Sequence, residues 1–157
     1  MSTQLSTYLV PGAVTVGSTA STADEVIGLL ADHLETAGVV HPSYRAAVIA
    51  REAEMPTGLP LEDGFAVAVP HTDPEHVKTS GIAMATLAEP VEFASMEDPE
   101  TRLQVRVVFA LALRSKDEQI AMLTAIGELL QDSARLRQLS AANSPEDAAR
   151  LLDAVAS

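Results

Sequence analysis

Hydrophobic positions along the chain change period several times, and each change marks an element. After a polar, loose start, Ala13-Val14-Thr15-Val16 is a short strand candidate, and the small polar residues Ser18 to Ser21 lead into a helix. Thr22 and Glu25 stand in capping-box relation. Val26, Leu29, Leu30, His33, Leu34 and Ala37 follow at helical spacing until Gly38 supplies a stop. A second helix is predicted from Ser43, with Tyr44, Ala47, Val48 and Arg51 on related faces, and Met55-Pro56-Thr57-Gly58 breaks it. Gly64 to Val69 is apolar almost throughout, which suits a strand covered on both faces. Pro70 ends it because proline has no N–H to give a ladder.

Gly81 to Leu87 reads as another buried strand, Val91-Glu92-Phe93 as a short edge piece, and Ser95 to Thr101 as an acidic loop. Leu103 to Leu113, by its length and its β-branched Val105, Val107 and Val108, is the central strand. Ser115 and Glu118 repeat the capping-box spacing ahead of a long helix whose core stripe is Ile120, Leu123, Ile126, Leu129 and Leu130. A shorter helix covers Ala134 to Leu139. Ser144-Pro145-Glu146-Asp147 starts a last one that runs to about Val155, with serine as cap and proline at the first position. Strands alternating with helices imply an α/β sandwich, and 157 residues suit a single domain with a sizeable core.

Composition narrows the function. Ten Lys and Arg against 22 Asp and Glu leave a net charge of −12 with no basic cluster, so the footprint for nucleic acid or anionic lipid is missing. The absence of Cys removes thiolate nucleophiles and Cys-based metal sites and fits a reducing compartment. No apolar run reaches the roughly 18 residues of a membrane span, and Met1 to Val10 lacks a signal core, so the chain is read as cytoplasmic and not inserted in a membrane. With no Trp, two Tyr and three Phe there is no platform for stacking bases or sugar rings.

Nucleophile candidates reduce to His33, His41, His71, His76 and scattered Ser and Thr without a Gly-x-Ser-x-Gly elbow. His33 falls on the apolar stripe of the first helix and is read as a packing histidine; His41 precedes a proline in a solvated connection. His71 follows a buried strand and a proline, where α/β sheets present reactive groups outside the strand C-termini. His71 and His76 with Asp73 lack a metal-ligand spacing and a third ligand, and no metal or other cofactor is expected. Phosphate loops are absent, and the run Glu89, Glu92, Glu97, Asp98 and Glu100 reads as a solvated acidic rim.

At Arg51-Glu52, Pro56-Thr57-Gly58-Leu59 and Phe65-Ala66-Val67-Ala68-Val69-Pro70-His71-Thr72, the chain resembles enzyme IIA of the sugar phosphotransferase system, fructose–mannitol superfamily. Asp73-Pro74-Glu75-His76-Val77, Ser80-Gly81-Ile82-Ala83, Pro90-Val91-Glu92-Phe93, Met96 and Val107-Val108-Phe109-Ala110-Leu111 follow in family order, so the resemblance covers about residues 8–155. Pro-His-Thr followed by His-Val looks most like the galactitol-type branch. The resemblance implies a small α/β sandwich with a mixed sheet, flanked by helices. It also implies a histidine that accepts a phosphoryl group from phosphorylated HPr and passes it to a cysteine of enzyme IIB, which phosphorylates the sugar as enzyme IIC transports it. The matching residue is His71.

Neutral imidazole suits that role, since one nitrogen attacks phosphorus while the other, protonated, is held by an acceptor; the sequence leaves open which is which. Phosphoryl transfer asks for in-line positioning and for charge on the equatorial oxygens. By the resemblance Arg51 supplies that charge, though its place near a helix C-terminus also suits an exposed arginine meeting the dipole. Many relatives carry a second histidine at the start of the helix after the long strand. Here that place reads Asp117-Glu118-Gln119, and Gln119 offers an amide donor in place of a titratable cation, assisted by free N–H groups of the first helical turn. Thr72 is either a donor at the site or a turn residue. Two alternatives stand beside the carrier: a regulatory protein whose partner reads the phosphorylation of His71, and an anion-binding module without transfer.

Overall fold

The computed structural model describes residues 5–61 and 65–155. A short helix α1 (Leu5–Tyr8) runs directly into β1 (Leu9–Ser18), followed by α2 (Ala23–Thr36), α3 (Tyr44–Glu54), β2 (Gly58–Pro60) and β3 (Ala66–Ala68). A 3₁₀ turn (Pro74–His76) leads to β4 (Gly81–Ala94), β5 (Arg102–Ala112), α4 (Lys116–Leu130), α5 (Ser133–Ser140) and α6 (Pro145–Val155). The strands form one mixed sheet in the order β1-β4-β5-β3-β2. β1 with β4 and β3 with β5 are parallel; β4 with β5 and β2 with β3 are antiparallel.

Helices cover both faces. Period-2 alternation divides the strands between the two cores: Ala66, Ala68, Ala83, Ala85, Ala110 and Ala112 face α2 and α3, while Val67, Ile82, Met84, Phe109 and Leu111 face α4, α5 and α6. The alanine face leaves room for large side chains from the helices, among them Ile27, Leu30, Leu34 and Tyr44, each fully buried. The other face inverts that arrangement and puts the bulk on the sheet. Volume is matched layer by layer, as close packing requires.

The caps form as the spacing implies. Thr22 and Ser115 accept from the N–H groups of Glu25 and Glu118, and Gly38 takes φ +78° just past α2, where a side chain would be strained. Other expectations need correction. The loose start is ordered from Leu5 as α1, and β1 is longer than Ala13 to Val16. The strand read over Gly64 to Val69 is laddered only over Ala66–Ala68, and Gly64 lies outside the described residues. The piece Val91 to Phe93 is not a separate strand: it continues β4 against β5, with a register shift between Thr86 and Val91 where Pro90 has no N–H to contribute, while the pairing of β4 with β1 ends at Leu87. Gly58, read as a helix breaker, also opens β2. A Cβ there would lie 2.5 Å from the carbonyl oxygen of Ala94, so only glycine lets the β4–β5 hairpin approach.

Candidate functional site

Three segments converge where β3 and β5 end and β4 begins: the exit of β3, the last turn of α3 and the first turn of α4. Beyond β3, the Leu111 N–H donates to the Pro70 carbonyl at 3.0 Å and His71 makes an isolated parallel bridge with Leu111. The histidine backbone is thereby tied to the central strand. Below it the buried Tyr44 hydroxyl donates to the Leu111 carbonyl at 2.8 Å, and burial raises its pKa.

The half-buried His71 ring has its Nδ1 2.8 Å from the carbonyl oxygen of Val69. A carbonyl only accepts, so Nδ1 carries the proton and Nε2 keeps the lone pair. Burial holds the His71 pKa below the ordinary 6.5; the Val69 hydrogen bond opposes this, the Arg51 guanidinium adds to it, and the Asp73 carboxylate opposes it. The ring is therefore neutral at neutral pH, with Nε2 available as a nucleophile.

Arg51 reaches the same place from the last turn of α3, its Nη1 3.3 Å from Asp73 Oδ1. From α4, Gln119 Nε2 donates to the Thr72 carbonyl at 3.4 Å. Thus all four predicted residues, His71, Arg51, Thr72 and Gln119, gather at one end of the sheet. Thr72 is buried and meets Gln119 through its backbone. One expectation is narrowed: the first turn of α4 is not uncapped, because the Glu118 N–H donates to Ser115 Oγ. His76 is engaged elsewhere, its Nδ1 2.8 Å from Ser43 Oγ, and His41 is exposed.

Sequence reasoning assigned no role to two further groups. The first is Glu52, next to Arg51 and pointing inward, whose carboxylate accepts from the Thr57 N–H at 2.9 Å and hydroxyl at 2.8 Å. Thr57 Oγ1 in turn accepts from the Val69 N–H at 3.2 Å. Val69 therefore has its N–H held by the Glu52–Thr57 pair and its C=O holding His71. Burial raises the Glu52 pKa, with the two Thr57 bonds opposing it. Thr57→Val should cost about 1–3 kcal/mol, because it strips a hydroxyl donor from the partly buried Glu52 carboxylate, while the Val69 N–H keeps its bond to the Thr57 carbonyl. Urea unfolding checks this, and a loss below about 0.5 kcal/mol, the range of ordinary surface changes, would contradict it. The second group is Asp73, considered only as a metal ligand and set aside, and otherwise part of a family motif; its position two residues after His71 was the available signal.

Comparisons with known proteins place the chain in a family. Residues 7–155 match the family described as "Phosphoenolpyruvate-dependent sugar phosphotransferase system, EIIA 2". The chain belongs to this family. It is 35% identical over 107 residues to the galactitol-specific EIIA component of Escherichia coli K12, covering 68% of this chain and 70% of that one. The crystal structure of mannitol IIA from E. coli superposes with a TM-score of 0.73 at 28% identity, over 92% of this chain and 98% of that one. The E. coli complex of mannitol IIA with phosphorylated mannitol IIB contains a chain matching at TM-score 0.74 and 27% identity, covering 92% and 96%. As an EIIA component the chain is a phosphotransferase of the sugar phosphotransferase system. Among the described residues no helix is long and apolar enough to cross a membrane.

Proposed function

We propose that this EIIA is a cytoplasmic phosphocarrier: His71 takes a phosphoryl group from phosphorylated HPr and gives it to a cysteine of a cognate enzyme IIB. Its branch likeness makes a sugar alcohol of the galactitol kind the transported substrate, with enzyme IIC as the membrane component. The single observation that carries the reading is the Nδ1–H to Val69 carbonyl hydrogen bond, which fixes the tautomer and leaves Nε2 as the attacking atom.

In the transfer, the Nε2 lone pair forms the bond to phosphorus as the donor's P–N bond breaks and its electron pair returns to the donor nitrogen. No proton has to move. The His71 ring becomes a phosphoimidazolium that keeps its Nδ1 proton, and the Val69 carbonyl then accepts a charge-assisted hydrogen bond. Arg51 meets the equatorial oxygens, and the neutral Gln119 amide supplies a further donor without the charge a histidine would bring. The reverse sequence delivers the group to the thiolate of enzyme IIB.

Transfer is tested by charging the protein with phosphoenolpyruvate, enzyme I and HPr and following its intact mass before and after addition of a galactitol-type enzyme IIB. One acid-labile phosphate, chased onto the IIB cysteine, is expected; a protein that takes no label from a matched HPr overturns the reading.

An NMR titration of the free protein should place the His71 midpoint below 6.5. The linkage follows in sign: the folded site disfavours the charged ring, so the unfolded chain binds the extra proton first. Wild type should therefore lose stability relative to His71→Gln as pH falls from 6.5 to the lowered value, with no further change from this group below it. A midpoint above 6.5, or the opposite stability trend, would contradict the assigned burial and charge balance.

A further inference from the structure

In the uncharged protein the guanidinium that the phosphoryl group needs already has an anion on it. Arg51 Nη1 lies 3.3 Å from Asp73 Oδ1, and among the described residues this is the ion pair that Arg51 makes. The pair is partly open to solvent, Arg51 at 32% and Asp73 at 65% side-chain exposure, so it is weak and easily exchanged. The Asp73 carboxylate does not cap the 3₁₀ turn that it precedes, and at that turn only its backbone carbonyl is used, accepting from the His76 N–H. Arg51 and Asp73 are also the two charged groups whose fields act on the His71 ring, in opposite senses.

A phosphoryl group on Nε2 brings close to two negative charges to a place held by one cation and one carboxylate. We propose that Asp73 is the built-in competitor of the phosphoryl group for Arg51: it holds the guanidinium at the site while His71 is free, is displaced on charging, and keeps the phosphohistidine high in energy for onward transfer. This rests on the carrier reading above. On charging, the P–N bond of the donor breaks and the Nε2–P bond forms, Nδ1 keeps its proton, and the Arg51–Asp73 hydrogen bond is replaced by one from Arg51 to a phosphoryl oxygen. The displaced carboxylate faces the dianion without a counter-charge, so its repulsion lowers the stability of the charged carrier and raises its tendency to donate.

The test is the equilibrium, not the rate. Wild type, Asp73→Asn and Asp73→Glu are each mixed with phosphorylated HPr, and the charged fraction of both proteins is read by intact mass once it is constant. That equilibrium depends on the free energies of the separate proteins, so altered docking or a merely structural role for Asp73 leaves it unmoved. Asp73→Asn keeps the shape and removes the charge, and should shift the equilibrium about fivefold toward phosphorylated His71, less at high salt. Asp73→Glu should stay near wild type. An unchanged or oppositely shifted equilibrium in Asp73→Asn overturns the inference while leaving the carrier reading standing. Absence of label on wild type overturns the carrier reading and this inference with it.

Discussion

His71→Ala is expected to abolish phosphate uptake while leaving the fold in place. No other described group combines a neutral nucleophilic nitrogen with a fixed tautomer and a neighbouring guanidinium. His76 is the nearest histidine in sequence, but its Nδ1 is engaged with Ser43 and its ring belongs to the 3₁₀ turn. The His71 ring is only half-buried and among the described residues its one ring hydrogen bond is to Val69, so its loss should cost about 1 kcal/mol of stability. Far-ultraviolet circular dichroism and thermal unfolding establish the fold, and intact mass after incubation with phosphoenolpyruvate, enzyme I and HPr reads the label. A folded His71→Ala protein that still carries an acid-labile phosphate would remove His71 from the pathway.

Arg51→Ala should slow charging by about 10²-fold, the usual effect of removing one preorganised group that meets developing charge. The guanidinium offers two parallel N–H donors to phosphoryl oxygens, a geometry that lysine's single ammonium cannot reproduce. Arg51→Lys is therefore expected to recover only part of the rate. Because the Arg51 charge also lowers the His71 pKa, Arg51→Ala should raise the His71 titration midpoint, and Arg51→Lys, which keeps the charge, should raise it less. Single-turnover rapid quench with phosphorylated HPr checks the first effect. A rate within about twofold of wild type would show that the transition-state charge is met elsewhere.

Most helices and the central strand were legible because their signals are local. Thr22 with Glu25 and Ser115 with Glu118 cap α2 and α4 as read, and Pro145 opens α6. What escaped the sequence depends on partners far along the chain. β2 is three residues that exist as a strand only because Gly58 and Leu59 find Ala68 and Val67, and because Gly58 admits the Ala94 backbone. The stretch Val91 to Phe93 looked separate because Glu89-Pro90 interrupts the apolar run, yet β5 supplies a ladder on the far side of the irregularity. α1 is ordered where its Tyr8 hydroxyl donates to Glu118, 110 residues away.

The site followed the same division. His71 could be picked out from a strand, a proline and a position; Arg51 and Gln119 came through the family resemblance. That both reach the same end of the sheet is a tertiary fact, carried by Asp73 and by the Thr72 carbonyl. Glu52 and Thr57 were visible only as part of a motif. Their service to Val69, and through it to His71, is a chain of hydrogen bonds that no spacing in the sequence spells out.

The central claim is that the Val69 carbonyl fixes the His71 ring so that Nε2 receives phosphate. Nitrogen-15 NMR of the charged protein, labelled at histidine, tests it most directly. Phosphorus bonded to Nε2 of His71, with a proton retained on Nδ1, is the predicted result. Phosphate on Nδ1, or on any other residue, would contradict it.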